Sequence, residues 1–331
     1  MSKLTFRGGV HPYDGKDISK DKQVTKLLPK EELVYPMSQH IGAPATPLVA
    51  KGDQVLMGQR IGEASGFISA HVISSVSGEV IAVEPRLMVN GSKGVSVVIK
   101  NDGNYTPVDG LGEERDTTAM TKEEIRQAVK DAGIVGMGGA GFPTHVKLTP
   151  KNEDEIDYIL VNGAECEPYL TSDYRMMMEV PEQIVGGLKI ILQLFDHAEG
   201  IIAVEDNKMD AIAKLKEAAA GEERIQVKVL KTKYPQGAER QLIYASTKRK
   251  INSKMLPADA GCIVDNIDTV ISIYQAVAKS TPLMRRIVTV TGDCVAEPAN
   301  YEVKTGMHYS ELLEDIEQIQ HLEFDLMLKP R

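Results

Sequence analysis

Between about residues 115 and 282, segments with helical spacing alternate with short apolar β-rich runs, and this alternation restricts the fold more than any other feature of the chain. Thr121-Lys122-Glu123-Glu124 has the pattern of a capping box, in which threonine and glutamate satisfy each other's backbone amides. Ile125, Ala128, Val129 and Ala132 then recur at i, i+3, i+4 and i+7, so a helix with one apolar face is expected, ended by Gly133. A short strand is expected at 157–161. Pro181 opens a helix running towards Phe195, because a first-turn residue needs no N–H. The order continues as strand 201–204, helix 209–220, strand 225–230 and helix 238–246. A last helix starts near Asp265 or Asn266 and runs to about Ala278. Strands joined through helices predict a parallel, doubly wound α/β sheet with ligands at the carboxyl ends of its strands.

The flanking regions read differently. Up to about residue 105 the chain is rich in Gly, Pro, Val and Ser, with strand-like runs at 49–61, 72–83 and 95–100, which suggests a small β-sandwich. The step Gly52-Asp53-Gln54-Val55 to Gly58-Gln59, followed by Ser77-Gly78-Glu79-Val80, resembles the barrel-sandwich hybrid of lipoyl and biotinyl carrier domains. Those carriers present a lysine at a hairpin tip. The corresponding stretch Phe67-Ile68-Ser69-Ala70-His71-Val72 has none, so an unmodified structural domain is expected. From Arg285 onward, a β-branched strand at 287–290, a second at 301–303 and a helix capped by Ser310 over 311–318 predict a small α+β unit.

Composition narrows the function. Lys and Arg number 38 against 47 Asp and Glu in 331 residues, a net charge of −9. An acidic chain is poorly suited to neutralising a phosphate backbone, so no nucleic-acid partner is expected. The apolar segment 184–195 is too short to span a bilayer, and the first nine residues lack the apolar run of a signal peptide. Cys166, Cys262 and Cys294 are far apart with no C-x-x-C spacing, so neither a structural zinc site nor an iron–sulfur cluster is expected from them, and no metal site is expected. Sparse, odd cysteines suit a reducing cytoplasm.

Two segments stand out chemically. Gly136-Met137-Gly138-Gly139-Ala140-Gly141-Phe142-Pro143-Thr144 formally contains G-x-G-x-x-G, but it follows a helix and runs at once into Phe-Pro, which is wrong for a dinucleotide fingerprint. Its glycines nevertheless let backbone N–H groups approach a flat ring or a phosphate, and Lys147 can supply charge. The plainer alternative is a linker or packing turn. Asn162-Gly163-Ala164-Glu165-Cys166-Glu167-Pro168 follows an expected strand end, where two carboxylates and an amide can bond a ribityl chain, a ribose or a nicotinamide, or do acid–base work. It can equally be a solvated acidic turn. Cys166 reads better as a small buried residue than as a nucleophile, since no His is near it in sequence. Gly237 ahead of a helix makes an anion site plausible, and Asn266 caps the last helix. His145 is the one histidine beside the glycine loop.

Together these segments identify a family. The chain resembles the Rnf-C subunit of the Rnf ion-translocating ferredoxin:NAD oxidoreductase and, more distantly, the flavin-bearing 51-kDa subunit of respiratory complex I. Ser38 to Pro44 with Gly52-Asp53 is similar to the N-terminal Rnf domain, 136–144 to the flavin-binding glycine loop, and 162–168 to the acidic loop under flavin and nicotinamide. Gly292-Asp293, Pro298 and Gly306 resemble a soluble-ligand-binding β-grasp module. The resemblance implies a barrel-sandwich domain at 1–110, a Rossmann-like FMN and NADH domain at 111–282, and a β-grasp domain at 283–331.

It further implies non-covalent FMN that exchanges hydride with NAD(H). Gly136, Gly138, Gly139, Gly141, Phe142 and Lys147 would bind FMN. Asn162, Glu165 and Glu167 would contact flavin or nicotinamide, the two glutamates nearest the chemistry. Gly237, Glu239, Asn266 and Thr269 would line the phosphate and ribityl side. Family members continue into a part with two sets of cysteines for 4Fe-4S clusters, whereas this sequence stops shortly after His321-Leu322-Glu323-Phe324. The clusters are therefore expected outside this chain's cysteines. The implied partners are NADH, the other subunits of a membrane complex and, indirectly, ferredoxin, with the chain peripheral on the cytoplasmic face. The alternative is a non-catalytic adaptor or soluble-ligand-binding subunit of the same kind of complex.

Overall fold

A computed structural model describes residues 4–88 and 90–315. In the first region, β1 (Thr25–Leu27) leaves for a distant sheet. It is followed by β2 (Glu32–Pro36), β3 (Thr46–Pro47), β4 (Gln54–Val55), β5 (Arg60–Glu63), β6 (Val72–Ile73), β7 (Gly78–Leu87) and β8 (Lys93–Asn101). The order β2-β8-β7-β4 forms one antiparallel sheet and β3-β5-β6 a second. Alternate residues of both sheets share one core, with Leu33, Tyr35, Ile61, Val97 and Ile99 fully or almost fully enclosed. This is the expected β-sandwich.

The central region follows the alternation of the sequence. It contains α1 (Lys122–Asp131), α2 (Thr144–Lys147), β9 (Tyr158–Gly163), α3 (Ser172–Glu179), α4 (Pro181–Leu192) and β10 (Glu199–Glu205). Then come α5 (Met209–Ala218), β11 (Ile225–Leu230), α6 (Glu239–Thr247), β12 (Cys262–Asn266) and α7 (Ile267–Ala278). The capping box at Thr121 and Glu124 forms, and Gly133 takes φ +65° at the end of α1, a conformation that glycine adopts without a Cβ clash.

The sheet is parallel throughout in the order β11-β10-β9-β12. Both its faces are covered. Ile159 and Val161 of β9 join the core built with α4 and α7, while Leu160 joins a second core with Leu242 and Ile243 of α6. A strand buried on both sides reads as a continuous apolar run, which is why 159–161 carries no polar alternation. The helices α4 and α7 pack closely at Gly187, where a Cβ would stand 2.8 Å from Val270 Cγ1.

The third region pairs β13 (Arg285–Val290) with β14 (Ala299–Lys304) antiparallel, and β1 adds to β14 in parallel. Its sheet is thus completed by a strand from the opposite end of the sequence. A helix α8 (Tyr309–Asp315) follows; the expected extension to 318 and the segment 321–324 lie outside the described residues. The first residues run as an arm along the central unit, through a parallel bridge of Leu4 with Leu230 and an antiparallel one of Val10 with Tyr234. No helix among the described residues is long and apolar enough to cross a membrane.

Candidate functional site at the switch point of the parallel sheet

After β9 the chain builds outward to β10 and β11, then returns to lay β12 on the opposite side of β9. The two directions part between β9 and β12, and a crevice opens at their carboxyl ends. Asn162 and Asn266 face each other there as register partners. The Asn162 amide donates to Gly237 O at 2.8 Å, and its oxygen accepts from Ala164 N at 3.2 Å. Asn266 caps α7 by accepting from Asp268 N at 2.9 Å, and its amide donates to Asp173 Oδ2 at 2.6 Å.

The glycine loop lies over this end of β12. A Cβ at Gly138 would stand 3.1 Å from that of Asn266. The loop is tied at its margins. Gly136 N donates to Phe142 O at 2.8 Å, Met137 N donates to Thr269 Oγ1 at 3.0 Å, and Arg286 donates to Met137 O at 3.1 Å. Gly141 O accepts from Ile41 N at 3.3 Å, so the barrel-sandwich unit holds the far end. Between the ties, the amides of Gly138, Gly139, Ala140 and Gly141 donate to no acceptor among the described residues. Gly138, Gly139 and Ala140 are exposed. Gly139 has φ +153°, and a Cβ built on it meets nothing within 4 Å.

Beyond the loop, Lys147 donates to Val264 O at 2.6 Å and to Asp265 Oδ1 at 3.0 Å. Asp265 is enclosed, burial raises its carboxyl above the ordinary range with Lys147 opposing, and its second oxygen has no partner among the described residues. Glu239 stands in the first turn of α6, its carboxyl raised by burial and opposed by Lys147. His145 is half-buried, with burial pushing its imidazole down to about 4 and the charges of Lys130 and His71 adding to the shift.

The acidic loop closes the other side. Glu165 takes φ +46°, and its side chain is 3% exposed. It accepts from Asp173 N at 2.7 Å and Tyr174 N at 3.3 Å, so it satisfies the first amides of α3. Burial raises its carboxyl, with Lys16 and Lys208 opposing. Glu167 is exposed, and its charge beside Tyr234 raises that phenol above its ordinary range. Cys166 is half-buried rather than buried. Its sulfur accepts from Gly237 N at 3.2 Å, and a Cβ at Gly237 would press on it at 3.2 Å. The two loops are linked in one chain of contacts, from Gly138 through Asn266 and Asp173 to Glu165. The glycine loop, Asn266, Asp173 and Glu165 are therefore joined at the carboxyl end of the sheet, where Lys147, Asn162, Gly237 and Thr269 also lie.

Both the barrel-sandwich unit and the α/β unit match known families. Residues 129–275 match the Nuo51 FMN-binding domain, and residues 4–104 match the RnfC barrel sandwich hybrid domain. The C subunit of the Na(+)-translocating ferredoxin:NAD(+) oxidoreductase complex of Acetobacterium woodii is 44% identical over 310 residues, covering 94% of this chain and 70% of that protein. The chain belongs to the RnfC family. The proton-translocating counterpart of Clostridium ljungdahlii is 40% identical, with 94% of this chain and 68% of that one covered. The corresponding protein of the ion-translocating oxidoreductase complex of Haemophilus influenzae is 33% identical, and the chain spans 48% of it. An NAD+-reducing [NiFe]-hydrogenase in the H2-reduced state shares the fold, with a TM-score of 0.52 at 24% identity over 60% of this chain and 40% of that one.

Several residues of the site carry no local signal in the sequence. Lys16 and Lys208 are buried lysines whose ammonium groups donate to the carbonyls of Glu167 and Ala164 at 2.9 and 2.8 Å. Asp173 bridges the two loops, and Arg286 reaches the glycine loop from β13. Lysines at 16 and 208 read as surface residues until the fold brings the acidic loop to them. Asp173 could be found only through its place in the first turn of α3.

Proposed function

We propose that the switch-point crevice holds FMN, and that NAD(H) lies beside it against the acidic loop. The chain is then the FMN-bearing electron-transfer subunit of an ion-translocating ferredoxin:NAD oxidoreductase complex. The observation that carries this reading is the run of four unpartnered amides at 138–141, beside a glycine with open space where a side chain would be. Such a cradle suits a flat ring and a phosphate ester, and it sits inside the matched FMN-binding domain. When bound, FMN supplies a centre that takes up hydride from NADH and passes electrons on singly.

The chain's own residues bind and orient. Gly136, Gly138, Gly139, Gly141 and Phe142 form the cradle, and Lys147 supplies positive charge for the anionic end. Gly237, Glu239, Asn266 and Thr269 line the phosphate and ribityl side. Asn162 holds the 237 loop. Glu165 sets the course of the acidic loop, and exposed Glu167 hydrogen-bonds the nicotinamide or its ribose. Hydride transfer needs reacting atoms held at about 3–3.5 Å, so this orientation is the protein's main contribution to rate.

The domain division follows as barrel-sandwich 1–110, FMN and NAD(H) domain 111–282, and a β-grasp module at 283–331 that borrows Thr25–Leu27. Other subunits of the complex would hold the chain on the cytoplasmic face of the membrane. Electrons would pass towards ferredoxin through 4Fe-4S clusters formed by other cysteines than these three.

The test is to reconstitute the full chain with FMN and follow the flavin absorbance while NADH is added anaerobically. One FMN per chain, bleached by NADH, is expected. No uptake of FMN overturns the reading. Uptake without bleaching favours the adaptor alternative.

A further inference from the structure

The acidic loop is held from outside the α/β unit. Lys16 lies in the N-terminal arm with its side chain 7% exposed. Its ammonium donates to Glu167 O at 2.9 Å and to Leu170 O, and stands 3.9 Å from Glu165 Oε2. All of these partners fall on the single stretch 165–170. Neighbouring arm residues trace the same stretch: Asp14 O accepts from Tyr169 N at 2.6 Å, and Ser19 Oγ and Thr171 Oγ1 are 2.8 Å apart. Gly15, at φ +59°, passes so close under the Tyr169 ring that a Cβ there would collide with it.

The loop needs such a clamp. Glu165 and Tyr169 both have left-handed backbones, at φ +46° and +66°, and neither is glycine. Such residues persist only where the surroundings over-determine them. Lys16 bridges the two carbonyls between and just beyond them. A buried ammonium is itself costly unless its donors are matched, so its presence on this loop is a commitment of the fold.

We propose that Lys16 is a positioning residue for hydride exchange: it fixes the strained 165–170 backbone so that Glu167 projects in one orientation beside Tyr234. This deepens the reading of the crevice as an FMN and NAD(H) site and rests on it. Lys16 bonds to the acidic loop and not to the glycine cradle, so FMN affinity should not depend on it, whereas the geometry of NADH should.

The experiment uses the full chain loaded with FMN, with K16M, K16R, E167Q and the K16M/E167Q pair. In stopped-flow bleaching, K16M should raise the NADH concentration for half-maximal rate about tenfold while FMN affinity stays within about twofold of wild type. K16R, which restores a cation and donors, should recover most of that loss. The pair should be no worse than the poorer single variant, because Lys16 acts through the loop that carries Glu167; a general loosening would multiply the two effects. If K16M does not fold, Lys16→Gln, which keeps a donor for one carbonyl, carries the same comparison. Wild-type NADH dependence in K16M or K16Q, or multiplying effects in the pair, overturns the proposal. A wild-type chain that takes no FMN, or whose FMN ignores NADH, overturns the functional reading and the Lys16 proposal with it, and is told apart because it needs no variant.

Discussion

The two loops that border the crevice are built by opposite means. The glycine loop is tied only at its ends, by Phe142, Thr269, Arg286 and Ile41, and its middle presents backbone with no partner among the described residues. The acidic loop is fastened along its length by two buried lysines, by the N-terminal arm and by Glu165 under α3. One is made receptive by leaving side chains out; the other is set in advance by buried charge. The difference teaches where damage should fall. Changes in the acidic loop should register in stability, and changes in the glycine loop should register in ligand affinity.

The sharpest test of that division is Glu165→Ala. It strips the first amides of α3 of their acceptor and removes the carboxylate that stands 3.9 Å from the buried Lys16 ammonium. Removing one partner from a buried charge pair costs about 3–5 kcal/mol, so a large fall in the urea midpoint is expected. Gly139→Val should do the reverse. Its backbone conformation disfavours any side chain, but the space is open, so the exposed loop can relax. Distorting the cradle by about 1–3 kcal/mol weakens FMN about ten- to a hundredfold in a fluorescence titration. The unfolding free energy should move by less than about 1 kcal/mol. If Gly139→Val unfolds the chain while sparing FMN, the contrast between the loops is wrong.

Much of this architecture is legible in the sequence, because its signals are local. The capping box at Thr121, the stop at Gly133 and the start at Pro181 each act within one turn. The carboxyl-end rule then directs attention to 162–168 and 266. What escapes the sequence acts over distance. The amides opening α3 are satisfied by Glu165, several residues before its first turn, while Thr171 at the N-cap makes no side-chain cap bond. The strand Cys262–Asn266 ends in Asp265 and Asn266, which read as the opening of a helix; Asp265 sits in a strand because Lys147 pairs with it. Thr25–Leu27 becomes a strand only when β14 arrives.

Glu167 tests the one acidic-loop side chain that faces outward. Because the loop is set by its backbone, losing this side chain should spare both fold and FMN content. Removing its hydrogen bond to the nicotinamide or ribose in Glu167→Ala costs about 1–2 kcal/mol, roughly five- to thirtyfold in NADH-dependent bleaching. Glu167→Gln keeps an acceptor oxygen and should lose less. Equal rates in all three proteins would remove Glu167 from the site, and glutamine as damaging as alanine would point to its charge.

The smallest effect expected is a change of slope with pH. Asp173 lies between the loops, and burial first, then the charges of Glu165 and Asp268, hold its carboxyl well above the ordinary value of 3.8, with the Asn266 amide and Arg286 pulling the other way. Burial raises Glu165, Glu205 and Asp265 in the same direction. A carboxyl raised in the folded state keeps its proton where the unfolded chain has lost it. Its contribution is complete below the unfolded value and is lost as pH rises towards the folded one. Stability should therefore decline from about pH 4 upward on account of these four groups. Asn cannot ionise, so Asp173→Asn should match wild type below about pH 4 and exceed it by a margin that grows as the pH rises above that value, as read from urea midpoints. A wild-type slope in that variant would mean that Asp173 titrates alike in the folded and unfolded chains and that burial does not hold its proton. A bridge made by an ionised Asp173 would show the opposite sign, with Asp173→Asn falling below wild type as the pH rises above about 4.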